Sequence, residues 1–168
     1  MNNDFEKDLV DGHKGEEAVR HFVETVMQKQ FIKFNNNERY DILFQNDYEE
    51  PVTFEVKTDY WEKDWDKGGS GNMAIEYMCR GKPSGIRKTK ATHFAYYFPN
   101  ILDKHLWVIE VKNLKKLLKI CDFKRVNGGE TYYDSDEKVA KLYLFNRFDY
   151  KEWFDIYTWD GMGQWILQ

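Results

Sequence analysis

Apolar residues recur with two different periods along the first third of the chain. From Gly15 to about Gln28 they fall at Ala18, Val19, Phe22, Val23, Val26 and Met27, the i, i+4, i+8 spacing of an amphipathic helix. Residues 1–12 read as a polar lead-in, and a polar break, NNNERY, follows at 35–40. Two β-rich segments come next. Tyr40 to Gln45 (YDILFQ) is the first. Val52 to Thr58 (VTFEVKT) is the second, with Val52, Phe54 and Val56 on one side and Thr53, Glu55 and Lys57 on the other. The turn-like QNDYEEP between them predicts a hairpin.

Downstream, DYWEKDWDKGGSG at 59–71 reads as a loop and Met73 to Met78 as a third strand, followed by a GKPSG turn at 81–85. Lys90 to Pro99 reads as a short helix turning into a strand. Leu106 to Val111 is a further strand, and Asn113 is placed to cap a short helix, LKKLLK. NGG at 127–129 breaks the chain. From Lys138 to Trp165 aromatic and polar residues alternate, which suits strands or an aromatic interface. No internal repeat or linker divides residues 1–168. The expected class is a single-domain α/β (α+β) fold around a central sheet.

Composition narrows the class. Hydrophobic residues make up 42% and aromatics 17% of the 168 residues, too many for a disordered chain. Cys79 and Cys121 form neither a disulfide framework nor a CxxC zinc motif. No apolar run reaches the roughly 20 residues of a membrane span, and the acidic start is unlike a signal peptide. The expectation is a cytoplasmic protein without membrane contact. The net charge of −4 hides a split: residues 80–125 carry twelve Lys and Arg against three acids, and the rest is net −13. Carboxylates for cations beside lysines for phosphates suit a metal-dependent nucleic-acid enzyme; a blocky solvated surface is the plainer reading.

Glu55 and Lys57 share one face of their strand, and Asp41, on the preceding strand, should lie near Glu55 across the hairpin. Two converging carboxylates make a hard-oxygen site for Mg²⁺ or Mn²⁺, and a lysine beside them can orient water or offset phosphate charge. Lysine–carboxylate proximity should also favour the charged form of both groups. An ordinary cross-strand ion pair has the same spacing. On the first helix, at 100° per residue, Glu16 falls about 70° from the centre of the apolar face and Glu17 about 170° from it. Glu16 is therefore the acid able to reach inward. The segment RGKPSGIRKTK offers Arg80, Lys82, Ser84, Arg87, Lys88 and Lys90 to DNA, with Thr89 as a further donor and no acid among them. No Walker A pattern occurs, so no nucleotide cofactor is expected. The four histidines lack metal-ligand spacing. Trp61 and Trp65 could line a partner surface, and Glu76 sits inside an apolar strand, outside the first tier of candidates.

Gly12-x-x-x-Glu16 on the first helix, Asp41 on a strand and Glu55-Val56-Lys57 on the next resemble the PD-(D/E)XK nuclease superfamily, nearest its Holliday-junction-resolvase-like and phage-type members. Order and spacing match over residues 12–58. NMAIEY at 72–77 followed by GKPSGIRKTKATHF at 81–94 extends the likeness to about residue 98. Tyr40 stands where the motif's name has proline, and the last 70 or so residues carry no assignable motif. The resemblance implies a restriction-endonuclease-like core, a mixed sheet flanked by helices. It also implies Mg²⁺- or Mn²⁺-dependent phosphodiester hydrolysis, with Asp41 and Glu55 as metal ligands, Lys57 as the catalytic lysine and Glu16 as the accessory acid. The expected substrate is branched or duplex DNA, cut by a homodimeric endonuclease in a bacterial or phage-infected cytoplasm. A non-catalytic binding module on the same fold, and an exonuclease, are the alternatives.

Overall fold

Two runs without a polar break, HFAYYF at His93–Phe98 (β6) and HLWVIE at His105–Glu110 (β7), are buried on both faces over most of their length and form the centre of the fold. The computed structural model describes residues 3–35, 39–128 and 140–168, with side chains from Gly12 onward. The polar break at 35–40, the chain break at 127–129 and the start of the tail at Lys138 fall partly outside these residues. A long helix, α1 (Asn3–Thr25), is followed by β1 (Phe31–Phe34), β2 (Ile42–Phe44) and β3 (Val52–Thr58). After a loop with one 3-10 turn come β4 (Asn72–Cys79) and β5 (Lys82–Pro83), then β6, β7 and α2 (Val111–Ile120). The chain continues through β8 (Lys124–Gly128), β9 (Ala140–Asn146), β10 (Asp155–Trp159) and β11 (Trp165–Leu167).

The described strands build two sheets rather than one. A seven-stranded sheet has the order β1-β2-β3-β6-β7-β10-β11, and a four-stranded one the order β5-β4-β9-β8. The large sheet is mixed: β3 and β6 run parallel, with Glu55 opposite Phe94, and its other pairs are antiparallel. A parallel pair needs a crossover, usually an α-helix. Here the crossover instead passes through β4, β5 and a 3-10 turn at Gly85–Arg87, which brings the small sheet over the large one.

The large sheet separates two apolar clusters. On one face α1 presents Val19, Phe22 and Val23 to Ile42, Phe44, Phe54, Ala95 and Val108. On the other, α2 contributes Leu114 and Leu117, and the small sheet contributes Met73, Ile75, Tyr77 and Phe145, against Phe94, Tyr96, Phe98 and Trp107. The expected α+β class with a large mixed sheet is present, with few helices.

Several local expectations are corrected. The helix starts at Asn3 and runs through Gly12 and Gly15. Gly15 is needed for contact rather than for a break, because a Cβ there would collide with Thr58 Oγ1 of β3. No helix forms at Lys90. The Lys90 amide donates to Arg39 O (2.7 Å), and Thr92 exchanges bonds with Thr53 through Thr53 N–H to Thr92 Oγ1 (2.9 Å) and Thr92 N–H to Thr53 Oγ1 (3.0 Å). These side-chain and backbone bonds hold the segment extended. The short helix begins at Val111 with Glu110 as its cap residue, and Asn113 lies inside it, donating Nδ2 to Glu110 Oε2 at 2.9 Å. The FIKF strand at Phe31–Phe34 was not expected.

One buried ion pair ties the loop after β3 to the distant tail. Glu62 and Arg147 are 5% and 3% exposed, with Arg147 Nη1 3.1 Å from Glu62 Oε1. Glu62 also accepts from Gly71 N–H (2.7 Å) and Ser70 Oγ (2.8 Å), and these bonds with Arg147 hold its carboxyl below the usual range despite burial.

Two stability predictions follow from these contacts. Glu62→Gln leaves Arg147 buried without its counter-charge, a loss of about 3–5 kcal/mol, seen as a fall in Tm of roughly 10 °C. Gly15→Ala should lower Tm by a few degrees although alanine favours helix, and adding Thr58→Ala should recover most of the loss; differential scanning calorimetry of the single and double variants measures both.

Candidate active site

The β2–β3 ladder ends one residue too soon for β3, and that shortfall builds the site. Rungs run from Phe44–Val52 to Ile42–Phe54, and a last bond passes from Asp41 N–H to Phe54 O at 2.8 Å. The next donor on that edge of β3 is the Val56 amide, and β2 has no backbone left to meet it. The Asp41 carboxylate takes its place: Oδ2 accepts from Val56 N–H at 2.7 Å. The approach is fixed from behind by Asn35 N–H to Asp41 O (2.7 Å) and Asn35 Nδ2 to Tyr40 O (3.1 Å).

Glu55 lies next to this bond in the chain but points to the face that carries the small sheet. There it meets Thr89 of the basic segment, whose hydroxyl hydrogen-bonds its carboxylate, and Glu76 of β4. From the other side α1, held close by Gly15, brings Glu16 toward Asp41. Four acids, from α1, the residue before β2, β3 and β4, thus act on one another: Glu16 on Asp41, Asp41 with Glu55, and Glu55 with Glu76. Burial, then the charge of Glu55 and, more weakly, of Glu16, push Asp41 up to about 7, and the Val56 bond opposes this. Glu55 is raised by burial and by Glu76, against the Thr89 bond.

This reverses the carboxylate half of the expectation that lysine–carboxylate proximity would favour the charged form of both groups. Lys57 shares the Glu55 face of β3 but is exposed, and among the described residues no ion pair joins it to Asp41 or Glu55. Desolvation and repulsion between acids therefore decide the sign. Glu16 has the predicted inward bias: its side chain is 28% exposed against 47% for Glu17, and its Oε2 lies 3.3 Å from His13 Nδ1. Among the described residues no three His, Cys, Asp or Glu side chains are grouped closely enough to cage a metal ion on their own.

The basic segment is fastened to this cluster. Thr89, 2% exposed, donates its hydroxyl to Arg39 O at 3.1 Å and accepts from Ala91 N–H at 3.2 Å. Gly85, at φ 46°, sits so tightly on Glu76 that a Cβ would strike the Glu76 carbonyl. Arg80, Lys82, Arg87, Lys88 and Lys90 are exposed, with the Arg87 guanidinium 4.8 Å from the centre of the Tyr77 ring. Ser84 and Thr89 are not at the surface as donors: the Ser84 hydroxyl is buried with no partner among the described residues, and Thr89 donates to Arg39 O beside Glu55.

No family model matches this chain, and neither a curated protein nor a solved structure matches it significantly. The chemistry has to be read from the side chains themselves. Sequence reasoning named Glu16, Asp41, Glu55 and Lys57, and the structure brings the three acids into electrostatic contact, with Lys57 two residues beyond Glu55. It gave Glu76 and Thr89 lesser parts. A charged residue alternating with Met73, Ile75 and Tyr77 was the signal for Glu76; nothing local signalled that Thr89 would lie against Glu55.

The raised Asp41 sets a pH dependence with a definite sign. The folded protein keeps a proton on Asp41 between about 4 and 7 that the unfolded chain has released, so metal-free stability falls as pH rises through that window and levels off above it. Asp41→Asn keeps an acceptor for the Val56 amide and removes the charge. Thermal melts in EDTA should show the variant more stable than wild type by roughly 3–10 °C at pH 8, with the difference vanishing near pH 4.

Proposed function

We propose that the chain is a divalent-metal-dependent deoxyribonuclease of the PD-(D/E)XK type, with a restriction-endonuclease-like core built around β2, β3 and β6. The observation that carries this is the Asp41 carboxylate locked onto the Val56 amide beside Glu55, two half-buried acids that repel each other and, among the described residues, share no ion-pair partner. An electrostatic debt of that kind is relieved by a cation. Two carboxylates with no third protein ligand suit Mg²⁺ or Mn²⁺, which keep several waters and take their remaining ligands from substrate phosphates. The donors are all hard oxygens, so the residues fit the metal that the resemblance implies.

Asp41 and Glu55 would hold the metal, which when bound polarises the scissile phosphate and lowers the pKa of its water. The Val56 amide fixes the Asp41 carboxylate before substrate arrives, so the site needs little reorganisation. Thr89, bonded to Arg39 O, lies against Glu55 and favours its charged form. Glu16 adds negative charge from α1, and Lys57, exposed on the Glu55 face, is free to meet a phosphate or the attacking water. Arg80, Lys82, Arg87, Lys88 and Lys90 would take the DNA backbone, and the Thr89 and Gly85 contacts keep that surface in register with the acids. Four-way-junction resolution by a homodimer is the form of this activity that the resemblance favours, since two strands must be cut.

A panel of labelled junction, flap, duplex and single-stranded DNAs with Mn²⁺ or Mg²⁺ tests the reading. Wild type should cut at least one form, and Asp41→Ala, Glu55→Ala or Lys57→Ala should each lower the rate by 100-fold or more. Circular against end-labelled linear DNA separates endonuclease from exonuclease action. Failure to cut any form, together with no rise in Tm on adding Mn²⁺, would leave a non-catalytic module on the same fold.

A further inference from the structure

The loop after β3 carries aromatic side chains that the hydrolytic chemistry does not use. Trp61 is 91% and Trp65 76% exposed, Leu102 70% and Phe148 50%. Trp65, Leu102 and Phe148 stand around an open cavity of about 290 Å³ that is also lined by Gly71, His105 and Arg147. Its deep wall is rigid: the Arg147 guanidinium is packed 4.6 Å from the Phe98 ring centre and 4.5 Å from that of Phe148, and is fixed by Glu62. Of the charges near the mouth, Glu62 is paired with Arg147 and Asp64 with Lys67 at 2.9 Å, and Lys63 and Asp103 also line it. Burial and the Arg147 charge lower the pKa of His105. The exposed apolar surface offered to a ligand here is that of Trp65, Leu102 and Phe148.

Position says which ligand. β4 runs from the cavity to the acids: Gly71, just before it, is in the cavity wall, and Glu76 is beside Glu55. Five strand residues place the two roughly 15 Å apart. That is a few nucleotides along a DNA strand, and the cavity holds a group of purine size. A paired base keeps its face in the duplex stack, so only an unpaired base can offer one to Trp65 and Phe148. We propose that this cavity stacks an unpaired nucleobase of the substrate and so selects flapped or otherwise partly unpaired DNA over continuous duplex. The proposal rests on the nuclease reading above and names the substrate class of that site.

Binding in EDTA, followed by anisotropy of a labelled duplex and of the same duplex with a short unpaired flap, tests it. Wild type should prefer the flap. Trp65→Ala should lose roughly 5- to 100-fold in affinity for the flap with duplex affinity unchanged, and Trp65→Phe should retain most of the preference. Unchanged duplex binding by the variant shows that it is folded. Equal loss on both DNAs, or loss on neither, would overturn the proposal and leave the nuclease reading standing. A Trp65→Ala variant that turns a dimer into a monomer would give the cavity to a second copy of the chain and overturn it as well. If wild type binds and cuts no DNA, the nuclease reading itself fails.

Discussion

The hydrogen bond from the Val56 amide to the Asp41 carboxylate is the contact on which the arrangement of this protein's acids depends. A strand edge inside a protein cannot leave an amide unpaired without cost. β2 stops one rung short, and a side chain completes the ladder in place of the backbone. The cost moves elsewhere: an acid fixed in that position is partly buried, within reach of Glu55, and raised to about 7. The protein thus holds a carboxylate in a place where its charged form is disfavoured unless something positive joins it.

Every neighbouring element adds to that tension. Gly15 lets α1 settle on Thr58 and brings Glu16 in. Gly85 lets the basic segment settle on Glu76, which raises Glu55. The Thr89 hydroxyl and the Lys90 amide bind the same carbonyl, Arg39 O, two residues before Asp41. Charges of opposite sign are therefore arranged as an inner group of acids and an outer rim of lysines and arginines, joined by short backbone bonds. Substrate phosphates held by the rim would lie against the acids only if a divalent cation stood between them, which is why the two halves of the charge pattern suit one chemistry.

The parts legible in sequence were those set by short periods. Strict alternation in VTFEVKT placed Glu55 and Lys57 opposite Phe54 and Val56, and helical geometry separated Glu16 from Glu17. The parts that were not legible depend on contacts between distant segments. β4 and β9 pair across some 70 residues, from Asn72 with Asn146 to Cys79 with Ala140, so the second sheet has no local signature. Gly15 reads as a helix start until the close approach of Thr58 is seen. The helix expected at Lys90 was overridden by bonds to Arg39 and Thr53, and the buried pair of Glu62 and Arg147 joins two loops that look independent. The sign of the Asp41 and Glu55 shifts was misjudged because spacing reveals the nearest lysine but not how much water the fold removes.

Calorimetric titration of the metal-free protein with Mn²⁺ at pH 7, repeated in buffers of different ionisation enthalpy, addresses the acid pair most directly. A cation held by Asp41 and Glu55 must displace the proton that Asp41 carries at that pH, so binding should release a substantial fraction of a proton in wild type, and Asp41→Asn should lose both the binding and the release. Absence of Mn²⁺ binding, or binding of equal strength in Asp41→Asn, would contradict a cation site at these carboxylates.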